Sequence, residues 1–175
     1  DYGCGVGNIC KEFSKFFPRG HYSGVDQSSK MIWECNSKYA SKGSFYELES
    51  EGWKQQTYDL IFCACVFHHI PPEKHLSVLE TLRSLLNEKG KLIIWEHNPY
   101  NPITRKFVNE CPFDQDAVLI SPQKMKRLFA HFSYFEVLVK YTTFFPEKLS
   151  FLSGMEPYLA WLPLGGQYIA IAEKM

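Results

Sequence analysis

Three glycines at alternate positions, Gly3, Gly5 and Gly7 in the run Asp1-Tyr2-Gly3-Cys4-Gly5-Val6-Gly7, stand directly before an amphipathic segment. No other feature constrains the fold as tightly. Glycine reaches positive φ without steric cost and lets backbone N–H groups approach a ligand with no Cβ in the way. The run therefore reads as a tight strand-to-helix turn that cradles a nucleotide-like ligand. A dinucleotide turn of the G-x-G-x-x-G kind would place its third glycine at position 8, and position 8 is Asn. A tight turn that holds no ligand is the plainer reading of the same residues.

Downstream, helical and strand-like patterns alternate. Ile9, Phe13, Phe16 and Phe17 share one helical face, stopped by Pro18 and Gly20, and are expected to cover a sheet. Tyr22–Asp26 reads as a strand ending on an acidic residue nineteen positions after Gly7, near the spacing at which such folds place a carboxylate for ribose hydroxyls. Ser28 and Ser29 then cap a second helix, with Met31, Ile32, Cys35 and Tyr39 on its apolar face. Residues 44–48 form a weak strand. Residues 60–67 are continuously apolar, as suits a parallel strand buried on both faces, and lead into His68-His69-Ile70-Pro71-Pro72-Glu73. Pro72 and Glu73 suit the first turn of a helix carrying Leu76, Leu79, Leu82 and Leu86 and ended by Lys89-Gly90. Residues 91–96 are a further strand that finishes at His97 and Asn98. Ser121-Pro122 caps a helix with Met125, Leu128, Phe129 and Phe132 on one face, and residues 135–141 and 168–173 are the last two strands.

Two connections are long. Residues 97–120, with their repeated prolines, are expected to form a substrate lid, a structural insert or interface arm being the alternative. Residues 144–166 carry Phe144, Phe145, Phe151, Tyr158 and Trp161, most of which read as core, although the segment could also cap a crevice or form a homodimer contact.

At 175 residues the chain reads as one domain, 1–175. Its 19 basic and 19 acidic residues leave no net charge, which argues against nucleic-acid and anionic-membrane partners. The six cysteines lack C-x-x-C or His spacing of the metal-ligand kind and read as reduced, mostly buried thiols. No apolar stretch reaches the roughly 20 residues of a membrane span, and no signal peptide is visible. A soluble, cytoplasmic protein is expected.

The glycine run with an acidic residue two positions before it resembles motif I of the class I S-adenosylmethionine (SAM) dependent methyltransferases. Tyr58-Asp59 followed by Val66-Phe67-His68-His69-Ile70 is similar to motif IV and its continuation in the small-molecule members, the methyltransferase domain 11/12 type. The resemblance implies an α/β, Rossmann-like, doubly wound seven-stranded sheet in the order 3-2-1-4-5-7-6, its last strand antiparallel. It also places a central first strand before the glycine turn, and that strand is expected to be missing ahead of Asp1. As cofactor the resemblance implies SAM. Asp1, Gly3, Cys4, Gly5 and Gly7 would shape the pocket for its methionine end, Asp26 would take the ribose hydroxyls, and Glu47 with Leu48 the adenine. Gln27, Met31, Ala64 and Cys65 complete the expected cofactor-binding set.

The sulfonium of SAM makes its methyl group electrophilic, so such an enzyme mainly aligns a nucleophile and excludes water. A hydroxyl or amine acceptor also needs a base, and His68, His69 and His97 at adjacent strand ends are the candidates, with helix capping or packing as their plainer role. No metal is expected, because His68, His69, Glu96 and His97 lie on different strands without i, i+4 spacing. The expected function is O- or N-methylation of a small molecule such as a sugar, lipid or secondary metabolite. An NAD-dependent oxidoreductase and a SAM-binding module without turnover are the alternatives.

Overall fold

In the computed structural model, which describes residues 1–132 and 134–174, the glycine run leads straight into helix α1 (Asn8–Phe16). Strand β1 (Tyr22–Asp26), helix α2 (Ser29–Tyr39) and strand β2 (Gly43–Glu47) follow. Then come β3 (Tyr58–Ala64), α3 (His75–Ser84), β4 (Leu86–His97), α4 (Pro102–Glu110), α5 (Pro122–Phe129), β5 (Tyr134–Thr142), a short α6 (Glu156–Leu159) and β6 (Gln167–Lys174).

β1 and β2 pair in parallel, with Asp26 opposite Glu47. Four further strands run in the order β3-β4-β6-β5, β3 and β4 parallel and β6 antiparallel to both of its neighbours. Residues 1–3 lie between the two groups. The Tyr2 N–H donates to Phe62 O at 2.8 Å on one side, and the Gly3 N–H donates to Val25 O at 2.8 Å on the other. The outcome is a mixed sheet with helices packed on it, which brings the carboxyl ends of β1, β3 and β4 to one edge.

The main core joins Leu79 and Leu82 of α3 and Met125 and Phe129 of α5 to the inward residues of β3, β4 and β6. A smaller cluster of Cys4, Cys10, Tyr22, Ile32, Cys35 and Phe45 lies under α1 and α2. Full burial of a large apolar side chain contributes about 1.5–3 kcal/mol, so these clusters are what hold the layers together. Among the described residues no helix is long and apolar enough to cross a membrane.

Four expectations are corrected. α1 buries Cys10, with Phe13 packed beside it, while Ile9, Phe16 and Phe17 face solvent. The helix starts at Asn8 from Gly7, whose φ of 78° sets the entry direction and so chooses the buried face. β3 is buried on one side only, through Ile61 and Cys63, and Leu60 is exposed. α3 ends at Ser84, and Leu86 opens β4 instead of closing the helix. Tyr58 pairs with Leu86 whereas Leu60 pairs with Lys91, so the residues between bulge out, with Lys89 taking the positive φ of 62°. Finally, Phe151, Tyr158 and Trp161 are not core. They are between 74% and 80% exposed, because residues 144–166 run as a 3-10 segment (Glu147–Met155) and α6 beside the edge strand β5, where the Tyr141 N–H donates to Ala160 O.

Candidate active site

The glycine turn is built from three positive φ values, 80° at Gly3, 52° at Gly5 and 78° at Gly7. At Gly3 a Cβ would fall 2.2 Å from Val66 Cγ2, so the close approach of backbone to the end of β3 needs glycine there. Asp26, last residue of β1, accepts the Gly5 N–H at Oδ2 (2.8 Å) and the Ser28 N–H at Oδ1 (2.9 Å). Ser28 in turn caps α2 by accepting from the Met31 N–H at 3.4 Å. One carboxylate thus anchors the glycine turn and the start of the second helix.

Beyond the strand ends opens a cleft of about 230 Å³. Of the residues expected to bind a cofactor, Gly3, Asp26, Gln27, Leu48, Ala64 and Cys65 line it, and so does His69. The others do not. Asp1 Oδ2 instead accepts the Tyr22 hydroxyl at 2.6 Å, and Cys4 is buried in the smaller core. Gly5 is held by Asp26, and Gly7 is packed against Tyr39 and Cys35. Met31 is half-buried in the first turn of α2, and Glu47 is exposed at the end of β2. Tyr2, Val25, Val66 and Ile70 also line the cleft, and sequence reasoning missed them. Their signal was their position beside the glycines, Asp26 and the histidine pair.

At the end of β4 lies Glu96, wholly buried. Its Oε1 accepts the N–H groups of Val66 (3.0 Å) and Phe67 (2.7 Å), and its Oε2 sits 2.5 Å from His68 Nδ1. His68 is itself only 1% exposed, and its Nε2 lies 3.5 Å from Asp114 Oδ1. The same Asp114 oxygen is 3.3 Å from Nε2 of the more exposed His69. The His68 ring centre lies 4.2 Å from that of His69 and 5.2 Å from that of His97. The fold therefore brings the three expected histidines together with Glu96, and it adds Asp114. Asp114 arrives from the 97–120 connection, which is tied down where the Val118 N–H donates to His68 O at 2.8 Å.

The electrostatics follow from this crowding. Burial disfavours the charged form of His68, but the bond to Glu96 and the charges of Glu96 and Asp114 outweigh it and hold its pKa above the ordinary value. Burial, and then the neighbouring His68 charge, push His69 and His97 below theirs. Burial works against ionised Asp114, yet its bond with Cys111 and the three histidines keep its carboxyl below the ordinary value. Burial, aided by Glu96 and Asp114, pushes the Cys65 thiol up to about 12. A neutral, partly exposed His69 on the cleft wall can accept a proton near pH 7.

The two long connections are stitched to one another. Asn98 Nδ2 donates to Pro163 O (3.1 Å) and Gly165 O (2.7 Å), Asn101 Nδ2 donates to Leu164 O (2.7 Å), and the Thr104 hydroxyl donates to Gly166 O (2.9 Å).

The sequence pattern of the methyltransferase domain family matches residues 1–92. A malonyl-acyl-carrier-protein O-methyltransferase of Halalkalibacterium halodurans is 28% identical over 106 residues, which cover 57% of this chain and 38% of the relative. The chain spans well under half the length of the curated relatives it matches. Among solved structures, a SAM dependent methyltransferase from Archaeoglobus fulgidus superposes with a TM-score of 0.74 at 20% identity, over 99% of this chain and 84% of that one. The plantazolicin methyltransferase BpumL in complex with SAH (S-adenosylhomocysteine) superposes with a TM-score of 0.69 at 20% identity, over 100% and 75% of the two chains. At these identities the likeness is one of fold.

Proposed function

The chain belongs to the methyltransferase domain family, and from that premise we propose that it transfers the methyl group of SAM to a small-molecule acceptor held beyond the carboxyl ends of β3 and β4. The observation that carries the reading is the Asp26 carboxylate, which fixes Gly5 and lines the cleft at the same time. The residues fit the cofactor. Gly3 leaves a cradle that a Cβ would fill, Asp26 keeps lone pairs for ribose hydroxyls, and Leu48 offers an apolar wall. When bound, SAM supplies an electrophilic methyl group on its sulfonium.

The chain's own part is positioning. Gly3, Asp26, Gln27 and Leu48 bind and orient the cofactor, with Ala64 and Cys65 on the facing wall. His69 takes the proton that an acceptor hydroxyl or amine must lose, and Glu96 fixes the ring of His68 beside it. Residues 97–120 and 144–166 cover the crevice and exclude water, which raises the value of alignment. The seven-stranded order 3-2-1-4-5-7-6 belongs to the same reading, residues 1–3 taking the place of the central strand's carboxyl end, as does a single domain over 1–175. A cytoplasmic setting is supported by the six free thiols.

Titration calorimetry of the chain with SAH and with NAD tests the cofactor. One equivalent of SAH is expected to bind, and binding of NAD alone would overturn the reading. Transfer of labelled methyl from SAM into a metabolite extract separates turnover from mere binding.

A further inference from the structure

We propose that His68 Nε2, His69 Nε2 and Asp114 Oδ1 form a binding site for a divalent transition metal of the zinc class at the edge of the cleft, with Glu96 as the carboxylate that orients His68.

The distances carry the first step. Asp114 Oδ1 stands 3.5 Å from His68 Nε2 and 3.3 Å from His69 Nε2. Both are longer than the roughly 2.7–3.2 Å of a good N–H···O bond. A tetrahedral ion with bonds of roughly 2.0–2.2 Å to nitrogen and oxygen sets its ligands about 3.3–3.5 Å apart, which is the spacing seen. One ligand atom from each of the three residues lies within 4.8 Å of the other two.

Glu96 carries the second step. Its Oε1 is taken by two backbone N–H groups, and its Oε2 faces His68 Nδ1. When His68 donates its Nδ1 proton to Glu96, its Nε2 presents a lone pair towards an Asp114 oxygen that also presents one. The space between the two is then filled either by a proton on Nε2 or by a metal ion in its place. A buried carboxylate on one ring nitrogen and a vacant lone pair on the other is the arrangement that fixes the tautomer of a metal-ligating histidine. Two imidazoles and one carboxylate suit zinc, cobalt or nickel better than magnesium or calcium, which prefer all-oxygen sites.

The spacing along the chain gave no hint of this, because Asp114 reaches the histidines only through the folding of the 97–120 connection. His69 lines the cleft, so an ion has a way in. Three protein ligands leave a fourth position free. On the methyl-transfer reading, on which this clause alone rests, an acceptor oxygen would take that position and lose its proton more easily, His69 then serving as a ligand in place of the base.

The test uses the full chain after chelator treatment, titrated with Co²⁺ and followed by visible absorption, and with Zn²⁺ by calorimetry. One equivalent of Co²⁺ is expected, with d–d bands and no thiolate charge-transfer band. His69→Ala and Asp114→Asn, chosen because neither group is deep in the core, should abolish those bands while circular dichroism stays unchanged. Glu96→Gln should weaken binding by roughly 10–100-fold. Failure of the wild-type chain to bind Co²⁺, a thiolate band that assigns the ion to cysteines, or undiminished binding in both variants would each overturn the proposal. SAH titrations of the wild-type chain keep the two ideas apart. A wild-type chain that binds SAH but no metal sinks only this inference, and one that binds the metal but no SAH sinks only the cofactor reading.

Discussion

Asp26 Oδ2 accepts the Gly5 N–H at 2.8 Å, joining the end of β1 to the glycine turn across 21 positions of chain. Asp26 is therefore a clamp as well as a cleft wall, and Asp26→Ala should show both roles. Hydrogen bonds to a charged group contribute about 1.5–3 kcal/mol. At about 1.4 kcal/mol per decade, SAH affinity should fall by roughly 10–100-fold. The same loss should lower the melting temperature of the ligand-free protein by roughly 3–12 °C. Calorimetry measures both, and an unchanged melting temperature would mean that the turn holds its shape without the clamp.

His69→Ala and His68→Ala should part company. His69 sits on the cleft wall with much of its side chain in solvent, so its loss should leave SAH affinity within about twofold and lower turnover by roughly 10²–10⁴. His68→Ala leaves Glu96 buried beside an empty space, and breaking a buried pair costs about 3–5 kcal/mol. Urea unfolding should register that cost for His68→Ala and almost none for His69→Ala. Equal midpoints would contradict the assignment.

The glycines should rank by what a Cβ would meet. Gly3→Ala drives a methyl onto Val66, whereas at Gly5 nothing lies within 4 Å. Gly5→Ala then pays only for positive φ, about 1–2 kcal/mol, and Gly3→Ala should cost clearly more. Chemical denaturation of the two variants gives the order, and a larger loss at Gly5 would refute it.

Alkaline pH should unfold the chain earlier than its charge balance suggests. The thiols of Cys4 and Cys65 are raised from 9.0 to about 12 and the Tyr2 hydroxyl from 10.0 to about 12, burial being the main cause in each. The folded chain then holds these protons more tightly than the unfolded one. Their stabilisation is complete below pH 9 and drains away as pH climbs towards 12. Urea midpoints at pH 8, 10 and 11 should fall in that order, and a flat series would show that these groups are not buried in solution.

The meeting of His68, His69 and His97 was legible because neighbouring parallel strands end side by side, whatever lies between them in sequence. The burial of Glu96 and the arrival of Asp114 were not legible. Glu96 reads as the polar end of an apolar strand, and its burial follows only once Val66 and Phe67 turn their N–H groups towards it. Asp114 depends on long-range ties, the Val118 N–H to His68 O and the Tyr168 hydroxyl to Ile120 O, for which no periodicity exists to read. Leu86 misled for another reason. One leucine at helical spacing fits the end of a helix and the start of a strand equally well, and the pairing with Tyr58 decides it.

Asn98 is wholly buried and gives its side-chain amide to two carbonyls of the later connection, while its own N–H reaches Gly166 O at 2.9 Å. Together with Asn101 and Thr104 this makes a rivet through both connections at one point. Neither can peel away alone, because doing so would strand a buried amide without partners. The backbone amides of Asn98 and Gly166 should therefore exchange with deuterium at one shared rate, set by a single concerted swing of both segments and slowed whenever the crevice is filled.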